Sequence, residues 1–370
     1  MRFRSSIQNI QKYGLLLGAS ILLSGCTGQE PGVNLYTDMD AATIKPLLAQ
    51  WQRELGVPIR VTYADAKDVQ SGVGLSQRLM EEKGSLKADV YWGRDVAAMQ
   101  RLTQDGTTAP VQGSFSGSFP ESCREEKGNW YGLGARVRVF IYNKKAFLGK
   151  KPPQSFADLA RPEWKGKAAV ADPRTNSSSN YHLAVLYTAL LETDAEPLME
   201  KIKANAPQIM PSEAAVINAV VSGKAAWGIT DSDLAEAAAQ TQPIAYIACD
   251  QAEYSTARSM GREDGDIYTI GTPVLPCPIG LISARPSMIE GNKLYGIMLS
   301  LSSSVMLSKS VPNLIPTHTS LLENPPDSRK GRPLNLSKLR LSPARPTEIL
   351  KKQPALLVKL NRLFGTTPTP

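Results

Sequence analysis

Histidine and cysteine are scarce in this chain: His182 and His318 are its only histidines, and four cysteines are spread over 370 residues. The wide spacing of Cys123, Cys249 and Cys277 fits no zinc template, and neither histidine stands beside a nucleophile motif. A zinc site and a histidine-dependent catalytic triad are therefore disfavoured. So are enzymes that need a nucleophile–base pair, and no catalytic residue is assigned. Past residue 26 no window is long or apolar enough for a membrane-spanning helix, and no internal repeat is found. The formal charge of +8 is missing from the middle of the chain. Ten Lys/Arg stand against Glu348 alone between Arg329 and Arg362, and Arg2, Arg4 and Lys12 open the sequence without an acid. What lies between is net acidic. A nucleic-acid footprint should sit on the domain that binds, so nucleic acid is not an expected partner.

The length exceeds what one core usually fills and predicts two lobes. Residues 1–26 read as an export signal: a basic start, then the apolar run Gly14–Leu23, ending in Leu23-Ser24-Gly25-Cys26. A small-residue pair before cysteine resembles a bacterial lipobox, with Cys26 lipidated as the mature N-terminus. A plain secretory signal or a buried apolar strand is the alternative. The three remaining cysteines are an odd number in an exported chain, so at most one pair forms.

The stretch Trp130–Asn143 organises the rest. Val137, Val139 and Ile141 alternate with Arg136, Arg138, Phe140 and Tyr142, which is the period of a strand. Two arginines on one face of an apolar strand are costly to bury unless an anion meets them. Either the arginines are solvated or paired with protein carboxylates, or an anionic ligand meets them. Upstream, Val33–Thr37, a helix carrying Ile44, Leu47, Leu48, Trp51 and Leu55, and Ile59–Tyr63 form a β-α-β unit with parallel strands. Further strands are expected at 88–92, 168–171, 225–229, 244–248 and 272–282, with one helix over 294–310 and another from Pro346 broken near Pro354. Strands hand over to helices through polar turns that contain Asp38, Asp40, Arg94 and Asp95, and ligands of open parallel sheets sit beyond such strand ends. Asp40 and Asp95 also stand where helix N-caps stand. The Ser/Thr/Asn run from Thr175 to Asn180 offers hydroxyls and free N–H groups to an anion, or ordinary capping. Asp231 and Asp233 follow the 225–229 strand, where one of them is expected to cap the next helix.

Taken together, Val33-Asn-Leu-Tyr-Thr37, Ala88-Asp-Val-Tyr-Trp92, Gly134-Ala-Arg-Val-Arg-Val-Phe-Ile-Tyr-Asn143, Phe156-Ala-Asp-Leu159, Trp164-Lys-Gly-Lys167, Ala171-Asp-Pro173 and Gly271-Thr-Pro-Val-Leu-Pro276 resemble the ferric-iron-binding branch of bacterial ABC-transporter solute-binding proteins. The resemblance implies an α/β, two-lobed type II periplasmic-binding fold with a cleft between the lobes. It divides the chain into signal and lipobox (1–26), lobe one (33–133 plus 246–328), lobe two (134–245) and a basic Pro/Leu-rich tail (329–370). It implies a lipid-anchored extracytoplasmic protein that passes a small charged solute to an ABC permease and ATPase. Ferric iron, or a ferric ion with a small anion, is the first expectation. An organic anion such as a phosphonate, a polyamine-like cation, or a sensor or scaffold without transport are the alternatives. By position, Thr37, Asp38, Trp92, Arg94, Arg136, Thr175, Ser177 and Ser178 become candidate ligand contacts, and Asp40, Asp95, Asp231 and Asp233 candidate metal ligands. The ferric binders carry paired tyrosines where this chain has Asp231-Ser-Asp233. Aspartates are also hard oxygen donors, and they suit a divalent or organic cation equally.

Overall fold

One long strand runs through both sheets of this protein, and everything else hangs on it. The computed structural model describes residues 32–65, 74–111, 115–255, 267–268, 270–311, 313–326 and 334–365. Cys26 and the signal-like segment lie outside them. In chain order, β1 (Val33–Thr37), α1 (Ala41–Leu55) and β2 (Ile59–Tyr63) form the expected parallel β-α-β unit. α1 buries Ile44, Leu47 and Trp51 on one face and stops at Gly56, whose φ of 78° lies in the left-handed region that favours glycine. Next come α2 (Ser76–Glu81), β3 (Val90–Trp92), α3 (Val96–Gln104), the short β4 (Thr108–Ala109) and β5 (Trp130–Asn143). β6 (Ala168–Ala171), α4 (Ser177–Ala189), α5 (Glu192–Ala204), β7 (Gln208–Met210), α6 (Glu213–Val221), β8 (Trp227–Asp231), α7 (Ser232–Ala239) and β9 (Ile244–Ala248) follow. The antiparallel pair β10 (Tyr254–Ser255) and β11 (Ile267–Tyr268) precedes β12 (Val274–Ile282), α8 (Met288–Met298), α9 (Leu301–Ser310), α10 (Thr319–Glu323) and α11 (Pro346–Phe364).

The first half of β5 pairs antiparallel with β12, from Trp130↔Gly280 to Val137↔Val274. Its second half, from Arg138 on, pairs with β8 on one side and β9 on the other. The first sheet is thus β2-β1-β3-β12-β5 and the second β5-β8-β6-β7, with β9 on the free flank of β5. Within the first half of β5, Gly134 takes a backbone conformation that favours glycine. Its φ is 82°, and a Cβ there would come within 2.8 Å of Leu307 Cδ2. Val137, Val139 and Ile141 point into one core cluster and Phe140 into another, as the alternation required. A third cluster, around Trp51, Trp92 and Tyr295, fills the first lobe. There Trp51 donates from Nε1 to Ser303 Oγ at 2.8 Å and meets Trp92 edge-on.

The structure corrects several expectations. The single helix at 294–310 is two, α8 and α9, because Ser300 turns out of the helix and caps α9 by accepting from Ser303 N. α5 was not anticipated; despite its acidic start and internal Pro197 it buries Ala195, Leu198, Met199 and Ile202. The tail helix does not break at Pro354. α11 runs unbroken because Ile349, Leu350, Leu356, Leu360 and Leu363 lie buried along one side of it, so docking offsets the hydrogen bond that proline removes. α11 packs chiefly on α4 and also touches α3 and α5. Lys359 pairs with Glu192 and Glu196, and Arg174 donates to the carbonyls of Phe364 and Gly365 at 3.1 and 2.6 Å. The basic segment is therefore an integral part of the fold over residues 334–365. Leu360→Ala should cost about 2–5 kcal/mol, the usual range for emptying a core leucine site. Urea denaturation checks this, and a midpoint equal to wild type would mean that α11 does not contribute to the core.

Candidate functional site: a cleft lined from both sheets

β5 delivers Arg136 and Arg138 to the same side, and both guanidinium groups are buried. Arg138 reaches Asp231 at 2.5 Å and Glu213 at 2.8 Å, and Arg136 Nε lies 3.4 Å from the other oxygen of Asp231. Ser178 Oγ donates to that same oxygen at 2.8 Å. Asp231 comes from the end of β8, directly opposite Arg138 in the register. Glu213 opens α6, next to its cap Ser212, and Ser178 lies in the first turn of α4. Two cations thus meet two carboxylates with almost no water. Burial alone would raise the Asp231 carboxyl, but Arg136 and Arg138 outweigh it and hold the group below its ordinary value. For Glu213 burial wins over Arg138, and the group is held above its ordinary value.

Beside this network opens a cleft of about 830 Å³. One wall holds Asp38, Asp40, Arg94 and Asp95 from the strand ends of the first sheet. The other holds Thr175, Ser177, Ser178, Asp231 and Asp233 from the second, and Arg136 lines it too. Arg94 crosses from one wall to the other and pairs with Asp233 at 2.6 Å, while its own carbonyl accepts from Arg136 at 2.9 Å. Asp233 Oδ1 and Glu213 Oε2 are buried with no hydrogen-bond partner among the described residues.

A family model described as bacterial extracellular solute-binding protein matches residues 86–251. Over 173 residues the sequence is 31% identical to iron uptake protein A1 of Synechocystis sp. (strain ATCC 27184 / PCC 6803 / Kazusa), covering 46% of this chain and 44% of that one. Over 192 residues it is 27% identical to the Fe(3+)-binding periplasmic protein of Serratia marcescens, covering 51% and 53%. The chain spans about half the length of the curated relatives it matches. In structure it aligns with Trichodesmium (IdiA) (FutA) in complex with iron and citrate ligands at a TM-score of 0.69 and 20% identity, covering 91% of this chain and 100% of the other. This is the two-lobed fold of the bacterial solute-binding proteins.

Within that solute-binding fold, ten of the twelve side chains expected at the site line the one cleft. Thr37 and Trp92 do not. Both are fully buried: Thr37 Oγ1 donates to the Trp92 carbonyl at 3.0 Å, and the Trp92 ring lies in the first-lobe core against Trp51. Nor do the four candidate metal ligands gather into one set. Asp40 and Asp95 cap α1 and α3 through Thr43 N at 2.9 Å and Ala97 N at 2.7 Å. Asp231 is spent on the arginines and Asp233 on Arg94. Among the described residues no set of unpaired carboxylates faces Arg136. Neither Asp231 nor Asp233 caps α7 through its side chain, because the helix begins at Ser232 and leaves Asp231 turned to Arg138. Asp38 is buried, which raises its carboxyl, and it accepts from Tyr91 Oη at 2.5 Å and Leu75 N at 2.9 Å.

Sequence reading missed Glu213, hidden as an ordinary first-turn acid, and Tyr63, which lines the cleft at the end of β2. Burial raises the Tyr63 phenol, and the Asp40 charge raises it further. All three remaining cysteines are buried and unpaired. Among the described residues the one group of three or more His/Cys/Asp/Glu close enough to hold a metal is His182, Cys249 and Asp250, away from the cleft. There His182 Nε2 and Asp250 Oδ2 lie 3.1 Å apart, and Asp250 Oδ1 accepts from Phe156 N at 2.7 Å and Ser155 Oγ at 3.1 Å, which ties β9 to the 155–160 turn.

Asp231→Asn should destabilise the protein by about 3–5 kcal/mol at pH 7, because it leaves buried guanidinium charge unpaired. The folded Asp231 carboxyl lies below its unfolded value of 3.8, so its contribution is fully present above that pH and is lost only as pH falls through the lower, folded value. Urea titrations of both proteins at pH 7, 5 and 3 measure this; the gap should hold from 7 to 5 and narrow at 3. A gap that closes already at pH 5 would contradict the assignment.

Proposed function

We propose that this is an extracytoplasmic solute-binding lipoprotein that captures ferric iron, or a ferric ion with a small anion, and passes it to an ABC permease and its ATPase. On this reading Cys26 carries the lipid anchor, the lobes at 33–133 with 246–328 and at 134–245 close over the ligand, and the protein performs no chemistry. The observation that carries the proposal is the state of Asp233. It is a buried carboxylate at the cleft with one oxygen on Arg94 and the other without a donor, in a chain whose fold and relatives point to iron uptake. An unpartnered carboxylate oxygen is a vacancy for a hard cation.

The Arg94–Asp233 pair works as a latch that the ligand must exchange. A ferric ion takes Asp233 from Arg94; the freed guanidinium, with Ser177, Thr175 and the start of α4, then suits the accompanying anion. Such an exchange keeps the charge count of the cleft balanced, which a bare cation or a bare anion would not. Asp40 and Tyr63 stand on the opposite wall as further oxygen donors, and a bound ferric ion would overcome the raised phenol of Tyr63. An organic anion alone is the second reading, favoured by Arg94, the hydroxyl cluster and the lack of a tyrosine pair after β8.

Protein lacking residues 1–26, titrated with ferric ion in bicarbonate and analysed by native mass spectrometry and metal analysis, should hold iron. Asp233→Asn should weaken that binding roughly ten- to a hundredfold, as expected for losing one charge-assisted contact. Its thermal midpoint should move little, since Arg94 reaches solvent when released. Affinity equal to wild type would remove Asp233 from the site. Tighter binding of a metal-free organic anion by Asp233→Asn would establish the second reading instead.

A further inference from the structure

Away from the cleft, the structure gathers a set of metal-ligating side chains that the proposed function does not use. His182 from α4, and Cys249 and Asp250 from the residues that follow β9, each offer one ligand atom, and these atoms lie within 4.8 Å of one another. All three residues are buried. No sequence spacing announces the set, because His182 and Asp250 stand 68 positions apart. The scaffold around it is fixed. Cys249 N donates to the Arg138 carbonyl at 3.0 Å, and the Cys249 carbonyl accepts from Thr272 Oγ1. The Phe156 ring meets the His182 ring edge-on, with centroids 4.8 Å apart. Phe156 N and Ser155 Oγ hold Asp250 Oδ1, so Oδ2 is the oxygen turned to His182 Nε2 at 3.1 Å. Two features are unusual for an ordinary core contact. Asp250 has a φ of 54°, left-handed backbone that few residues other than glycine adopt. His182 Nδ1 is buried with no hydrogen-bond partner among the described residues.

We propose that His182, Cys249 and Asp250 form a second, structural metal site for a divalent cation of borderline softness, with zinc as the fitting ion. A thiolate beside an imidazole suits zinc, whereas hard ions favour all-oxygen sets. Charge agrees. Zn²⁺ with one thiolate and one carboxylate is neutral, so the buried set carries no net charge. Geometry agrees as well. Nitrogen and oxygen ligands about 2.0–2.1 Å from a tetrahedral zinc stand about 3.3 Å apart, close to the 3.1 Å between His182 Nε2 and Asp250 Oδ2. A zinc-bound sulfur and nitrogen stand about 3.6 Å apart, so the Cys249 sulfur closes by at most about 1.2 Å from within the 4.8 Å set. On binding, the thiol proton of Cys249 leaves to the buffer, and the proton between Nε2 and Asp250 passes to Nδ1. Nδ1 then donates to water in the cavity of about 30 Å³ that His182 lines with Ser179 and Arg138, room for about one molecule. A second water takes the fourth position on the metal. The ion would pin α4, whose first turn lines the cleft, to the chain that leaves β9.

Cobalt is the spectroscopic probe and zinc its competitor. Protein lacking residues 1–26, which keeps the compact unit Gly32–Pro370, is prepared reduced and metal-free and titrated with Co²⁺. A thiolate-to-cobalt charge-transfer band should grow to one equivalent, and zinc should abolish it. Cys249→Ser should remove the band and weaken zinc by more than the roughly hundredfold that loss of an outer-shell partner costs. Asp250→Asn keeps an oxygen for Phe156 N and Ser155 Oγ, and asparagine tolerates left-handed backbone. That variant should fold and bind zinc about ten- to a hundredfold more weakly. Cys123→Ser with Cys277→Ser should keep the wild-type band. Zinc should raise the thermal midpoint of wild type and leave that of Cys249→Ser unmoved. No band in wild type, cobalt bound without a band, or a band that survives Cys249→Ser overturns the site. So does zinc affinity equal to wild type in Asp250→Asn, should Cys249→Ser fail to fold. None of these outcomes bears on iron in the cleft, whose lining includes no cysteine.

Discussion

The buried set of Arg136, Arg138, Asp231 and Glu213 is the constraint on which the rest of the structure depends. Removing a guanidinium from water costs several kcal/mol, and only close, well-placed carboxylates offset it. Meeting that cost ties four elements together. β5 supplies both arginines, β8 supplies Asp231 in register with Arg138, α6 supplies Glu213 from its first turn, and α4 adds Ser178. The strand that carries the arginines is also the one that leaves the first sheet and enters the second. The place where the chain crosses from one sheet to the other is thus the place where the second sheet is electrostatically locked.

Much of this was legible because period-two alternation and helix stop signals are local. β5 could be read in full from Trp130 to Asn143, since Val137, Val139 and Ile141 need one core while Arg136 and Arg138 need a counter-charge. Which counter-charge was not legible. Asp231 lies 93 positions from Arg138 and Glu213 lies 75, and only the pairing of β5 with β8 brings them near. For the same reason a cap was expected of Asp231 or Asp233: Asp231 does stand at the N-cap position of α7, but the strand register turns its side chain to Arg138. Ten of the twelve candidate side chains line the cleft because strand ends and helix starts gather at one edge of each sheet whatever the ligand. Thr37 and Trp92 were misplaced since a strand's last residues can face floor or cleft, and sequence alone does not say which. The tail was misread because Pro354 breaks an isolated helix, whereas five buried side chains hold a docked one.

Charge pairing also sorts the residues of the cleft by availability. Asp231 is surrounded by donors and adds nothing to a ligand without unpairing a buried arginine. Asp40 and Asp95 each hold a helix start, a modest commitment that leaves a second oxygen. Asp233 and Arg94 hold only each other, and Arg94 is partly exposed, so exchanging this pair costs least. A ligand can shift a two-state protein only by its differential affinity for the two states. On the reading proposed above, its leverage lies in replacing one partly solvated ion pair that spans the cleft, while the network behind remains intact.

The C-terminal segment adds a brace of its own. α11 is fixed by its packing on α4 and α5, by Lys359 on Glu192 and Glu196, and by Arg174 on its last carbonyls. Its contact with α3 is lighter than that with α4 and includes no ion pair among the described residues. The start of the helix is tied elsewhere: Arg345, its N-cap, pairs with Glu126 at 3.0 Å, and Thr347 Oγ1 donates to the same carboxylate at 3.2 Å. The segment therefore binds the helices that follow β6 to the turn that precedes β5, so a chain read as a basic tail acts as a strut across the strand on which both sheets depend.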